Sequence, residues 1–399
     1  MSADATVARM PDSPPGGRAP GGSMEEAQEA GRAALAAGLK QAALRAAVVL
    51  AGLLVGTLVI ALQPGVSGET WSAVWHGTLG TASGISSVLQ LTTPLLLSGC
   101  AAAISARAGM WNIGVEGQLV IGAWAGTAIA FTFPGLPGPL LATLILVGGL
   151  VGGALWVLVP AAARAYLGVN EVVTTLLLNF VATLWLVYWV TGPWADTSFQ
   201  GAGLGARPIT EDAMLSHWTI GNVTVGVSFL IALGVAVLTW ATFRYTIFGY
   251  RCTLVGVDER TARYAGVDVA RTRFQALVAS GAIGGLVGVI VMIDHVGRFT
   301  ISLSTYTGYL GLLVAALATA SLLGCIPAAV LVALLSAAAG ALRIAGIPAE
   351  VTLMLTGLLL IAAAITDIST GGKLGRSVRD AATGAKGALM RSRRGVPDE

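Results

Sequence analysis

Trp111-Asn-Ile-Gly-Val-Glu-Gly-Gln118 sets an amide, a carboxylate and a second amide at the opening of a charge-free run, Leu119 to Phe133. In hydrocarbon a glutamate is costly unless it meets water, a partner or a polar passage, so Glu116 is a functional candidate by default. A helix-end carboxylate resting at the membrane interface is the plain alternative. A second polar stripe opens at Asn170, where Glu171, Thr175 and Asn179 recur at four-residue spacing on one helix face, with Thr174 beside them. Asn112 and Glu116 share that spacing, and Gln118 follows. The chemistry such stripes offer is hydrogen bonding to a polar solute, or hydrogen bonding between helices as structural glue. As pathway residues, both stripes start near the cytoplasmic ends of their spans, which points to an inner gate rather than a midplane site.

A third constellation lies in the polar segment 244–273. Asp258 to Tyr264 reads as a short helix with Gly266 as its stop signal. Gly256, Asp258, Glu259, Arg260, Ala262, Arg263 and Gly266 mix charge with small residues and form no face large enough for a separate domain. Such a helix suits docking into a partner's groove; a purely topological anchor is the other reading. Covalent chemistry finds no support. Lys40, Lys373 and Lys386 are followed by Gln, Leu and Gly, so no phosphate-binding Walker motif can be built on them. Neither a GxSxG elbow nor a HExxH helix occurs.

The elements that must position these groups are membrane helices. The 399 residues are 55% hydrophobic and 11% charged, against about 25% charged in an ordinary soluble domain. Uncharged runs recur, and about 20 apolar residues suffice to cross a bilayer as helix. The expected architecture is all-α and polytopic, with about ten transmembrane helices near 44–63, 85–106, 111–133, 139–163, 171–191, 222–243, 274–293, 307–323, 326–343 and 350–368. Arg107, Arg164, the arginines of 244–273 and the basic C-terminal tail fall on one side in that count, so both termini are expected in the cytoplasm. A Pro- and Gly-rich tail over 1–41 reads as disordered, 42–370 as the transmembrane domain and 371–399 as a basic cytoplasmic tail. Small residues four apart, such as Gly149 and Gly153 or Gly281 and Gly285, predict close helix packing. The cysteines (Cys100, Cys252, Cys325) and histidines (His76, His217, His295) are scattered, so neither a disulfide framework nor a metal site is expected.

Ala108 to Gln118 resembles the signature of the simple-sugar and nucleoside branch of bacterial ATP-binding-cassette importer permeases, within the branched-chain amino acid, ribose and nucleoside superfamily. Asn170 to Asn179 is similar to that branch's second signature, and Val255-Gly-Val-Asp258, Ala262, Ala265 to Val267 and Ser280-Gly-Ala282 resemble its inner loop and following helix. Gly308 to Gly324 departs from the branch, reading Ala-Leu-Ala-Thr-Ala-Ser-Leu-Leu-Gly where a Leu-Gly-Arg turn is expected. The resemblance implies a plasma-membrane permease subunit importing nucleosides or related ribose-bearing solutes by alternating access. It also implies an ATPase subunit docked on 255–266, a second permease subunit, homologous or identical, and an extracytoplasmic solute-binding protein. ATP is then consumed by the partner; no cofactor on this chain and no nucleic-acid partner are expected. A simple-sugar permease of the same type and an autonomous ion-coupled secondary transporter are the competing readings, and a non-transporting membrane scaffold is a third.

Overall fold

Small residues decide how the helices meet. In the computed structural model, which describes residues 67–196, 205–303 and 306–346 together with 61 and 357, the chain is mostly helical. The helices are α1 (Gly68–Thr78), α2 (Ala82–Arg107), α3 (Val115–Thr132), α4 (Gly138–Leu167), α5 (Glu171–Thr191) and α6 (Val227–Tyr245). They continue with α7 (Ile247–Val257), α8 (Glu259–Tyr264), α9 (Val269–Val291), α10 (Thr307–Leu317) and α11 (Cys325–Ile344). An antiparallel hairpin, β1 (His217–Ile220) and β2 (Val223–Gly226), precedes α6. Gly221, with φ of +63°, supplies the left-handed turn between the strands.

Helix α9 is the central post, packed against α4, α3 and α2. At Gly285 the backbones approach so closely that an added Cβ would strike the Gly149 carbonyl, and one on Gly153 would strike the Gly281 carbonyl. Gly122 of α3 abuts Gly285 from the other side. Three helices therefore cross at one glycine cluster, the packing that small residues four apart permit where lipid supplies no hydrophobic drive between helices. Helices α2 and α9 are enclosed, whereas α4, α5 and α6 turn most of their apolar surface outward. The exposed side of α5 carries Val173, Leu177, Phe180 and Leu184; in a chain this apolar, that face suits lipid or a membrane partner.

Among the described residues, six helices are long and apolar enough to cross a bilayer: α2, α4, α5, α6, α9 with its extension to Asp294, and α11. The expected spans at 44–63 and 350–368, and both tails, lie outside the described residues. Three expectations need correction. The third span starts at Val115 rather than 111, because 108–114 is a folded loop. The span expected at 222–243 gives its first residues to the hairpin, which an all-α reading omits. The eighth, expected over 307–323, is an 11-residue helix. At about 1.5 Å per residue it covers roughly half a membrane. It stops because Thr319 and Ala320 adopt left-handed φ of +50° and +56°, a conformation costly for residues with a Cβ. The Arg107 side chain holds that turn, its Nε donating to the Ala320 carbonyl at 2.9 Å.

The chain ends of these elements collect at two poles. Arg107, the α4–α5 connection, α7, α8 and the α10–α11 turn form an arginine pole. The hairpin, residues 192–196 and 205–216 and the residues after α9 form the other, where Asp196 meets Arg298 at 3.6 Å and Ser86 of α2 accepts from the Thr224 N–H at 2.8 Å.

Candidate functional site

Loop 108–114 doubles back from the end of α2 into the bundle. The Met110 N–H donates to the Ser105 carbonyl, and the Asn112 N–H to the Ser105 hydroxyl. Asn112, 1% exposed, then makes a reciprocal amide pair with Gln118, both bonds at 3.0 Å. Its Nδ2 also donates to the Ser280 hydroxyl at 2.8 Å, which itself donates to the Ala101 carbonyl at 2.6 Å. Its Oδ1 accepts from the Gly114 N–H at 3.0 Å. Ala101 lies six residues before Arg107, or about 9 Å along the helix. One amide thus ties α2, α3 and α9 together well inside the bundle.

The Asn170 stripe faces this loop as its spacing predicts: Glu171, Thr175 and Asn179 are buried and lie on the side of α5 turned to α3. Asn170 caps α5 by accepting from the Val172 N–H. Glu171 pairs with Arg164 at 3.0 Å and accepts from the Trp111 N–H at 3.3 Å. Thr175 returns its hydroxyl to the Glu171 carbonyl at 2.7 Å and sits against Gly114. Asn179 accepts from the Gly117 N–H at 2.9 Å and donates to the Ile113 carbonyl at 2.9 Å and to Tyr309 Oη at 3.2 Å. Glu116 reaches across to α10, its Oε2 accepting from the Gly308 N–H at 2.7 Å. A carboxylate is favoured there by the partial positive charge of the helix N-terminus.

These bonds have a common cause. Where a helix starts buried inside a bundle, its first N–H groups have no intrahelical partner and little access to water, and each is costly if left unmet. Helices α3 and α10 both start beside this seam, and Asn112, Asn179 and Glu116 supply the missing acceptors. All six polar residues singled out as pathway candidates meet in one continuous seam, along which Asn112 and Gln118 satisfy one another and Asn179 meets the backbone and Tyr309.

The open space lies beside the seam, toward the hairpin pole. A cleft of about 650 Å³ runs between α2 (Ser87, Gln90, Pro94), the hairpin (His217, Thr224) and the end of α9 (Val291, Asp294), and reaches Thr307 at the start of α10. None of the six seam residues lines it; Thr307 next to Gly308 is where the two adjoin. Pro94 within α2 has no N–H to return to the Gln90 carbonyl, which weakens the helix at the cleft wall. Asp294, its side chain fully buried, accepts from the Ser228 hydroxyl at 2.7 Å and lies 3.3 Å from His217 Nε2. It sits on a π-helical turn, Met292–Val296, a geometry found preferentially at functional sites. The sequence held one signal for this wall that went unread: Asp294 is an acid at the end of a long apolar run.

At the arginine pole the segment 244–273 carries two helices, α7 and α8, between the end of α6 and the start of α9. Gly256 of α7 lies so close to the Arg107 carbonyl that a Cβ could not be placed there. The Asp258 carboxylate caps α8, accepting from the Arg260 and Thr261 N–H groups and the Thr261 hydroxyl. That Thr261 hydroxyl bond, joined by the two N–H bonds, holds Asp258 below the usual carboxylate range. Glu259 receives Arg263 at 2.6 Å and Arg273 at 2.9 Å. The Arg263 hydrogen bond chiefly lowers its pKa against a smaller opposing effect of burial. Ala262 is buried against Val255 and Val269, and Gly266, with φ of +75°, ends the turn. Asp258, Arg260, Arg263 and Tyr264 stand exposed, Tyr264 at 94%. The arrangement is a charged, rigidly footed knob with an apolar base.

The family model described as "Branched-chain amino acid transport system / permease component" matches residues 84–364. The chain is similar to the nucleoside ABC transporter permease protein NupB of Lactococcus lactis, 29% identical over 294 residues covering 72% of this chain and 80% of the relative. It is 27% identical over 322 residues to the guanosine ABC transporter permease protein NupP of Bacillus subtilis, covering 78% and 90%. The glucose ABC transporter permease protein TsgB13 of Haloferax volcanii is 30% identical over 327 residues, covering 78% and 84%.

Proposed function

The chain belongs to the branched-chain amino acid transport system permease family, and on that premise we propose that it imports nucleosides or related ribose-bearing solutes by alternating access. It is a multi-pass plasma-membrane permease subunit of an ATP-binding-cassette importer. Nucleosides and guanosine in the names of two relatives support the solute class. The observation that carries the reading within the molecule is the 650 Å³ cleft. Its lining mixes uncharged hydrogen-bonding groups (Ser87, Gln90, Thr224, Ser302) with apolar ones (Leu91, Pro94, Val291, Leu303), as a solute with a hydroxylated and an aromatic half requires.

In this reading the arginine pole is cytoplasmic, about ten spans are completed by 44–63 and 350–368, and both tails are cytoplasmic. The cleft faces outward and receives solute from an extracytoplasmic binding protein. The seam is the floor of the passage: moving α10 against α3 and α5 would open it inward, with Glu116 and Asn179 as the bonds exchanged. The knob at 256–266 docks into an ATPase subunit, which hydrolyses the ATP; this chain holds no nucleotide site and no cofactor. A second permease subunit, homologous or identical, covers part of the outward apolar surface. The simple-sugar alternative rests on the glucose permease relative. Family membership sets aside the self-energised, ion-coupled reading.

The test is uptake of labelled guanosine and adenosine by cells carrying or lacking this chain, with unlabelled ribose or glucose as competitors. Loss of nucleoside uptake on deletion, restored by the intact gene and insensitive to excess sugar, is the expected result. Suppression by the sugar would move the assignment to sugars.

A further inference from the structure

We propose that Asp294 is the solute-recognition carboxylate of the cleft, taking the vicinal diol of a neutral polyhydroxylated solute in exchange for His217. The inference rests on the nucleoside reading above and names the group that would recognise the ribose.

Among the described residues, Glu116, Glu171 and Asp294 are acids buried or half-buried along the helices that enclose the passage, and the contacts described for them differ in kind. Glu116 is engaged by a backbone N–H at the start of α10, and Glu171 by Arg164 and a backbone N–H. These partners belong to the walls. Asp294 is held on one oxygen by Ser228, a wall residue of α6. Its other oxygen faces His217, which belongs to the exposed strand β1 and whose side chain is 32% exposed while that of Asp294 is 0%. The imidazole is therefore a partner that can leave, and the carboxylate one that stays.

A buried carboxylate carries a large desolvation cost that hydrogen-bond donors must compensate. Hydroxyl donors do so well, because hydrogen bonds from O–H to an ionised oxygen are short and roughly twice as strong as neutral ones. A carboxylate is acceptor-only, so the arriving solute must bring donors; Gln90 and Ser302 on the same lining can meet its acceptors. Among the described residues the lining contains no lysine or arginine that would pair with a phosphate ester, and a carboxylate repels one. The site thus selects nucleoside over nucleotide, and ribose over a sugar lacking one hydroxyl of the pair.

Uptake of a ribonucleoside and its 2′-deoxy counterpart would be measured with the complete transporter carrying wild-type chain, Asp294→Asn or His217→Gln. Binding protein and ATPase are common to all three, so a change in the ratio belongs to this chain. The wild type is expected to favour the ribonucleoside, Asp294→Asn to lose that preference by about tenfold, a modest value for a lost polar contact, and His217→Gln to keep it. A wild type without preference, or an Asp294→Asn ratio equal to wild type, overturns the proposal. If Asp294→Asn fails to assemble with its partners, Asp294→Glu carries the test: a shifted ratio supports the assignment and an unshifted one overturns it. Wild-type cells that take up neither nucleoside refute the substrate reading itself.

Discussion

Glu116, a candidate for the pathway or gate from its place in the sequence, also caps a helix in the structure. Its carboxylate meets the Gly308 N–H at the start of a helix that begins within the bundle. Glutamine can accept the same bond but without the attraction of charge to the helix end, so for this contact Glu116→Gln should cost less than about 1 kcal/mol. Glu116→Ala removes the acceptor and should cost about 1–2 kcal/mol, the usual loss of a cap. Thermal unfolding of the detergent-purified complex would rank the two, and equal destabilisation would remove the capping role. Because the bond joins α3 to α10, uptake should fall further in the alanine variant than in the glutamine one.

At the scale of elements, α8 is a six-residue helix, far too short to persist by propensity. It stands because Asp258 caps its start, Ala262 plugs its apolar base and Glu259 clasps Arg273 at the start of α9. Glu259 has its folded pKa lowered. Its contribution is therefore complete above the ordinary glutamate range, about 4.3, and lost as pH falls through the lower folded value. Amide exchange in α8, corrected for intrinsic rate, should hold steady from neutral pH to that range and rise only below it. In Asp258→Ala the Arg260 and Thr261 amides should exchange faster at neutral pH while α9 stays protected. Fraying that spreads into α9 would mean α8 is not a separate knob.

For the whole molecule the question is which pole faces the cytoplasm. Cys100, Cys252 and Cys325 are buried, so a membrane-impermeant thiol reagent on intact cells should find little background. Trp218→Cys, at a position 51% exposed on the hairpin, should label, and Tyr264→Cys, at a position 94% exposed on α8, should label only after permeabilisation. The reverse pattern would put the charged knob outside and leave no route for ATP-derived energy.

Composition and run length were enough to place this chain in a membrane, because the cost of unpaired backbone in hydrocarbon forces apolar runs into helices. Arginine placement foretold an arginine-rich pole, four-residue spacing foretold that Glu171, Thr175 and Asn179 would share one buried helix face, and Asp258 and Gly266 marked the ends of α8 in advance; the same spacing misled for Asn112, which lies in a loop before α3. Each of those is a local or periodic signal. The doubling-back of loop 108–114, the half-length of α10 and the cleft beside Asp294 were not legible, because each depends on partners far away in the chain: Ser280 for Asn112, Gly308 for Glu116, His217 for Asp294. Apolar runs look alike whether they span a membrane or stop halfway. Only packing decides which backbone groups are left to be met by a side chain, and which side chains are left to meet a solute.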